Sequence, residues 1–382
     1  TESISCMGHI INQMIAGGGR MQKGKIRNMF PGGNTFKGFY NRFDQIICQD
    51  DARRIFILKG GPGTGKSTFV KNISEVMTGQ GYDVEHMHCS SDSRSLDGLV
   101  IPKLKVALLD GTAPHVTDPE TPGAVDEIIN LGEYWNEEAL TGKKKQIIET
   151  RSAMSVFFQR AYRYLKAASY IYDDSASLYE HAMDRAGLSS IARGCIGTLF
   201  DGLPPADKPG KLRCLFASAI TPDGVVSYVD DLMTLDSIYV FKGFPGSGTD
   251  VVLEKIKTVA VETGFDVEAF YCGFDPDKLE HLIIPGLNTA FSTAVKHHST
   301  DACAVKKVDF RQLLDDRRIS KLSTELDYNE HEFDKLLGKA VEMISEARQL
   351  HDELEAFYIP HMDYDGIKNK QDEIIRKILS YA

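Results

Sequence analysis

Two apolar, β-rich runs, RRIFILKG at 53–60 and SIYVFKG at 237–243, each stop at a glycine-rich loop. Each loop gives way to a stretch with helical spacing, about 66–79 and about 249–262. A further strand follows in each half, at about 82–89 or 265–272, closed by polar residues. In the first half a third buried run, KVALLD at 105–110, comes after the Ile101-Pro102 break. Strand, loop, helix and strand in succession predict an α/β fold with a mainly parallel sheet covered on both faces. The regions at about 136–187 and 309–359 are helical in period, rich in charge and poor in breakers, and so predict long helical insertions. Phe157, Tyr164, Ala168 and Ile171, at spacings of seven, four and three, fall on one helical face, the kind of stripe that packs against another helix.

The two halves are related. Shifting the sequence by 183 positions aligns 59–118 with 242–301 without a gap, and 22 of the 60 pairs are identical. Chance predicts about four. The likeness continues at slightly different offsets, from KIRNMF at 25–30 with KLRCLF at 211–216 to Tyr179, Met183, Asp184 and Gly187 with Tyr358, Met362, Asp363 and Gly366. The repeat is far longer than a solenoid unit, which predicts two homologous domains, 1–205 and 206–382. The boundary falls in the Pro/Gly-rich segment DGLPPADKPGK, residues 201–211.

Composition narrows the field. The chain has 382 residues and a net charge of −10, which argues against broad electrostatic binding to nucleic acid or to an anionic membrane. Basic clusters such as Lys143-Lys144-Lys145 and Arg53-Arg54 read as solvated surface. Seven scattered cysteines without a C-x-x-C fit a reducing compartment. No stretch approaches the length of a membrane span and no apolar leader is legible, so the expectation is a soluble cytoplasmic protein.

The chemistry sits in the first loop. Residues 60–67 read GGPGTGKS, a full G-x-x-x-x-G-K-[ST] pattern following a strand and opening a helix. Gly60, Gly63 and Gly65 permit backbone angles closed to other residues, so that successive N–H groups, with those of Gly61, Thr64 and neighbours beyond Pro62, can turn inward to phosphate. The helix adds its positive N-terminal end. Lys66 is placed to reach the β- and γ-phosphates, Ser67 to ligate Mg²⁺, and Thr68 to touch the α-phosphate. A loop of this kind also needs a carboxylate on a neighbouring strand to hold the metal's water shell, and Asp110, ending VALLD, is the candidate; the alternative is a cap on the Asp110-Gly111 turn. Lys59 does not make this the deviant class with a lysine directly after the first glycine, because that position is Gly61.

The second loop, GFPGSGTD at 243–250, keeps the glycines but has Thr249 and Asp250 for lysine and serine, and Thr293 stands where Asp110 would be. Asp250 would repel phosphate by about 1 kcal/mol at 4 Å in water and about 4 at intermediate dielectric. One loop is armed and its sister is not.

Other roles stay open. Asp92 is a candidate general base or substrate anchor, as is Asp97, although the pairing of Asp92 with Asp275 also fits a shared cap. Arg94, Arg151, Arg160 and Arg163 are candidate arginine fingers. His115 either faces the γ-phosphate or is structural. His86, His88 and Cys89 read as strand packing in preference to a metal site, and His297-His298 matches no ligand spacing.

The strings MFPGGNT, GFYNRFDQII, CSSDSRSLDGLVIP, ALLDGTAPHVTDP, PGAVDEIINLGEYW and LHDELEAFYIPHMD resemble a family of bacterial tandem P-loop proteins described as ATPases or nucleotide-kinase-like proteins. The resemblance spans nearly the whole chain and implies ATP or another nucleotide with Mg²⁺ at Gly60–Thr68, with no established substrate. The loop is also similar to that of the AAA class, but the strand ends in Asp-Gly where that class has Asp-Glu. The functional expectation is Mg-dependent nucleotide hydrolysis or phosphoryl transfer at the first loop with a pseudo-active second half. The alternatives are a small-molecule or nucleotide kinase, with an unknown acceptor, and a non-catalytic nucleotide sensor or scaffold that binds a protein partner. In a composite site the second half would lend Lys242 or Lys296.

Overall fold

The computed structural model describes residues 22–204 and 206–382. The first half runs β1 (Ile26–Met29), β2 (Gly32–Thr35), β3 (Gly38–Asn41), β4 (Arg54–Lys59), α1 (Lys66–Gly79), β5 (Val84–His88), β6 (Leu96–Ile101), β7 (Val106–Asp110), β8 (Asp126–Asn130), α2 (Glu137–Gly142), α3 (Lys144–Glu180) and α4 (Arg185–Phe200). The second runs β9 (Leu212–Phe216), β10 (Ser218–Thr221), β11 (Gly224–Ser227), α5 (Val229–Leu232), β12 (Ser237–Lys242), α6 (Thr249–Glu262), β13 (Val267–Tyr271), β14 (Leu279–Ile284), β15 (Thr289–Ala294), β16 (Lys306–Asp309), α7 (Asp316–Ile319), α8 (Ser323–Tyr358) and α9 (Tyr364–Leu379). The protein is thus α/β, with two six-stranded mixed sheets, mostly parallel, and long helices. Strand order is β1-β5-β6-β7-β4-β8 in one sheet and β9-β13-β14-β15-β12-β16 in the other, position for position the same.

Each sheet contains a strand that the periodicity did not reveal. β6 and β14 run antiparallel to both neighbours, so the sheets are mixed and not wholly parallel in their middle. The run LDGLVI is short and buried throughout, which leaves no alternation to detect. Its end at Ile101-Pro102 is a tight turn: Lys105 takes φ 56°, and Asn288 φ 47° at the paired position, folding β6 back onto β7 and β14 onto β15.

Successive side chains of β4 point to opposite faces, as a strand must arrange them. Ile55 and Ile57 enter a core shared with Ile238, Val240 and Phe270 of the second sheet, while Phe56 and Leu58 pack under α1. The sheets also meet edge to edge, where Phe30 and Phe216 exchange backbone hydrogen bonds of 2.9 and 3.0 Å. Beside that seam Arg27 and Arg213 bind Glu85 and Glu268 across the halves, at 2.6 to 3.3 Å. Burial works to raise the Glu268 carboxyl, but Arg27 and then Arg213 overcome it and hold the group below its ordinary value.

The helices cross over. The α3 and α8 rods pack antiparallel, with Phe157, Tyr164 and Ala168 against Leu337, Ala340 and Ile344. Beyond them α9 of the second half covers α1 of the first: Ile367, Ile374 and Ile378 join its core, and Gln371 donates to the Phe69 carbonyl at 2.7 Å. Conversely α4 brings Ala192, Cys195 and Phe200 to α6. Each half thus exports terminal helices to the sheet of the other half. Among the described residues no helix is long and apolar enough to cross a membrane, and the six cysteines are free thiols.

Candidate functional site

The loop after β4 has the backbone that its glycines predict. Gly63 and Gly65 take φ 68° and 83°, in the left-handed region, and α1 begins at Lys66. Gly60 is required for a different reason: a Cβ there would come within 2.6 Å of Thr64 Oγ1. Thr64 is fully buried and donates to the Gly61 carbonyl at 2.8 Å, bracing the loop. Lys66 Nζ donates to the Gly60 and Gly61 carbonyls at 2.8 and 2.9 Å and lies 3.7 Å from Asp110. Ser67 Oγ, on the second residue of the helix, accepts the Leu96 N–H at 3.0 Å. Thr68 opens the helix with them.

Asp110 ends β7 and accepts from both the N–H and the hydroxyl of Thr112, at 2.9 and 2.6 Å. It therefore caps its turn and also faces the lysine. Burial would raise its carboxyl, but His115 and Lys66 hold it below the ordinary value, so it stays charged. Asp97 lies beside it, and one donor atom each of Asp97, Asp110 and His115 falls within 4.8 Å of the others. Burial, with Asp110 adding, pushes Asp97 up to about 6 against the pull of His115. His115 stacks on Phe43 at 4.4 Å; both ring nitrogens are buried and make no hydrogen bond among the described residues, Nε2 lying 3.8 Å from Asp110.

The exported helix α8 closes over the loop. Glu355 Oε1 accepts the Gly63 N–H at 3.3 Å, Tyr364 Oη donates to the Gly63 carbonyl at 3.0 Å, and Tyr358 packs over Gly61. One and two turns earlier stand His351, 3.9 Å from Glu355, and Arg348. Arg348 binds Asp92 at 3.1 Å and Asp352 at 2.8 Å, and its Nε is buried without a partner. Burial is the main reason His351 titrates below its usual value, with the Arg348 charge adding to it.

The placement of the other candidates follows. Asp92 closes its own turn through Ser95 Oγ at 2.7 Å, as Asp275 does through the Asp277 N–H at 3.1 Å, and in addition anchors Arg348. Arg94 is exposed on Asp92, and Arg160 lies over Phe157 of its own helix. Lys242 and Lys296 are not at this loop: both line a cavity in the second half, with Lys296 held by Glu330 and Asp334 at 2.5 and 2.6 Å. His86 and His88 are occupied by Ser74 Oγ at 2.6 Å and Asn28 Oδ1 at 2.8 Å, in keeping with strand packing. Lys59 ties down the following segment through Gly111, Thr117 and Asp118.

No family model matches the chain. No curated protein and no solved structure matches it either. The reading of the site therefore rests on its residues.

Arg348, His351 and Glu355 are the functional candidates that motif reading missed. A signal was available. Tyr179 and Tyr358 pair at an offset of 179, which sets Arg348 against Ser169, His351 against Tyr172 and Glu355 against Ala176. Ala176 indeed packs at Gly246, the counterpart of Gly63. Charge is concentrated on the helix that meets the intact loop.

Proposed function

We propose that residues Gly60–Thr68 bind the phosphates of a nucleoside triphosphate such as ATP with Mg²⁺, and that the protein hydrolyses or transfers the γ-phosphate there. The two halves are then homologous P-loop domains, the second pseudo-active. The carrying observation is that Glu355, an anion supplied by the other half, already accepts from the Gly63 N–H, the group that would meet phosphate. Ser67 and Asp110 would hold the magnesium ion, which would neutralise developing charge on the phosphate oxygens. Lys66 would turn its ammonium from the Gly60 and Gly61 carbonyls to those oxygens. Arg348, locked between Asp92 and Asp352, is a cation delivered from the other half, the role of an arginine finger. Aspartates 92 and 97 thus act behind the reacting atoms, one positioning Arg348 and the other lying against Asp110. Glu355 and Tyr364 must give way when phosphate enters, which supports a second reading in which nucleotide binding moves α8 and α9 for a protein partner.

The test uses the full-length chain, since the helices are exchanged. A panel of nucleotides is offered to wild type and Lys66→Ala, with bound ligand and released phosphate followed together. Wild type should bind at least one triphosphate only with magnesium and turn it over, and Lys66→Ala should not. Binding without turnover would leave the sensor reading, and no binding of any di- or triphosphate would end both.

A further inference from the structure

A cavity of about 670 Å³ lies against the second loop, bounded by Lys242–Pro245, by Phe274 and Phe333, and by Glu280 and His298. We propose that Glu280, His281 and His298 bind a divalent metal ion of the zinc class on the wall of this cavity. One donor atom from each lies within 4.8 Å of the other two, and Glu280 and His281 are 2% and 0% exposed. Glu280 and His298 stand 2.9 Å apart. Adjacent residues of a strand ordinarily face opposite ways, so Glu280 and His281 should not converge. They do because the pairing of β14 with β13 skips one residue: Phe270 opposes His281 and Tyr271 opposes Leu279, leaving Glu280 as the extra residue of a bulge. Bulges re-aim side chains in this way and concentrate near functional sites. His298 returns through the turn that bridges it to Val295.

The chemistry of the set favours a metal. Two imidazoles and a carboxylate form a three-ligand N,N,O group of the kind that holds zinc with a fourth position open, and Glu280 and His298 of the set line the cavity. Ser292 Oγ meets His281 Nδ1 at 3.0 Å and fixes the ring, while its Nε2 is buried without a partner. That is the outer-shell arrangement of a ligating histidine. The other half sharpens the point. At the 183 offset Glu280 stands for Asp97 and His298 matches His115, while the third donor changes place: Asp110, which lies 3.7 Å from Lys66 in the first half, is Thr293 in the second, and Gly98 is His281. Cys272 and Lys278 share the cavity wall, Lys278 being engaged with Tyr172 Oη at 2.5 Å.

The site does not depend on nucleotide binding at the first loop. Full-length protein stripped with a chelator is titrated with Zn²⁺, and with Co²⁺ as a spectroscopic probe. The expected result is one equivalent bound with the visible absorption of four- or five-coordinate cobalt. His281→Gln should lose the absorption and weaken zinc binding by about 100-fold or more, and Ser292→Ala should weaken it by about 10-fold. Circular dichroism checks that the variants fold; should His281→Gln not fold, Ser292→Ala decides. The proposal is overturned if stripped wild type takes up neither metal, or if the folded variants bind both as tightly as wild type.

Discussion

The two glycine-rich loops share a backbone and differ in the charges set around it. Gly63 and Gly65 have left-handed counterparts in Gly246 and Gly248, at φ 72° and 73°, and both loops open a helix at the same point. In the first, Lys66, Asp110 and Glu355 surround the ring. In the second, Thr249 and Thr293 bring methyl groups to 3.3 and 3.2 Å of a Cβ placed on Gly243, and Ala176 sits where Glu355 would be. Retaining the frame without the charges separates two jobs that a single loop usually combines: shaping the strand-to-helix turn and gripping phosphate.

The comparison can be broken most decisively at Arg348. Arg348→Ala should lower turnover by about 10³-fold while nucleotide affinity stays within a few-fold, in the manner of a lost arginine finger; single-turnover phosphate release separates the two. Loss of affinity with unchanged turnover would make Arg348 a mere tether for Asp92. Lys66→Ala should cost about 10²-fold or more in kcat/KM, whereas Thr249→Lys in the second loop should create no detectable turnover, because Thr293 and Ala176 still supply no carboxylate. A gain of activity there would show that the lysine alone separates the halves. At the shared seam, Glu85→Gln leaves Arg213 and Arg27 short of a buried anion and should reduce stability by about 3–5 kcal/mol in urea unfolding, affecting both halves in one transition. The smallest effect concerns His86, which has no histidine counterpart. Burial, with His88 and Lys71 adding, lowers it to about 4 in the folded chain. The unfolded chain then binds the extra proton between about 6.5 and 4, so this contribution is full above that window and lost as pH falls through it. His86→Gln should flatten the acid limb of stability over that range; an unchanged limb would exclude His86 as its source.

What could be read from the chain was local. The loop and α1 follow from glycines, a lysine and a strand-to-helix change of period within some twenty residues, and Asp110 from the end of one apolar run. β6 stayed hidden because burial on both faces removes alternation, and Glu280 with His281 because a bulge overrides the facing rule. The helix exchange was beyond reach for another reason: α9 is as apolar toward α1 as it would be toward any helix, and nothing in Ile367, Ile374 and Ile378 names the partner. Arg348 lies between these cases, hidden from motif reading but recoverable once the halves are aligned through Tyr179 and Tyr358.

One rod reports on both ends of the molecule. The α8 helix spans 36 residues, about 54 Å, with Arg348 to Tyr358 at the intact loop and Leu326 to Leu337 along the cavity of the other half. A stiff element cannot slide or tilt at one end without doing so at the other. A shift of the α8 backbone that carried Glu355 away from Gly63 would therefore also move the wall of the chamber beside Glu280, and a molecule lodged in that chamber would bias how readily such a shift occurs.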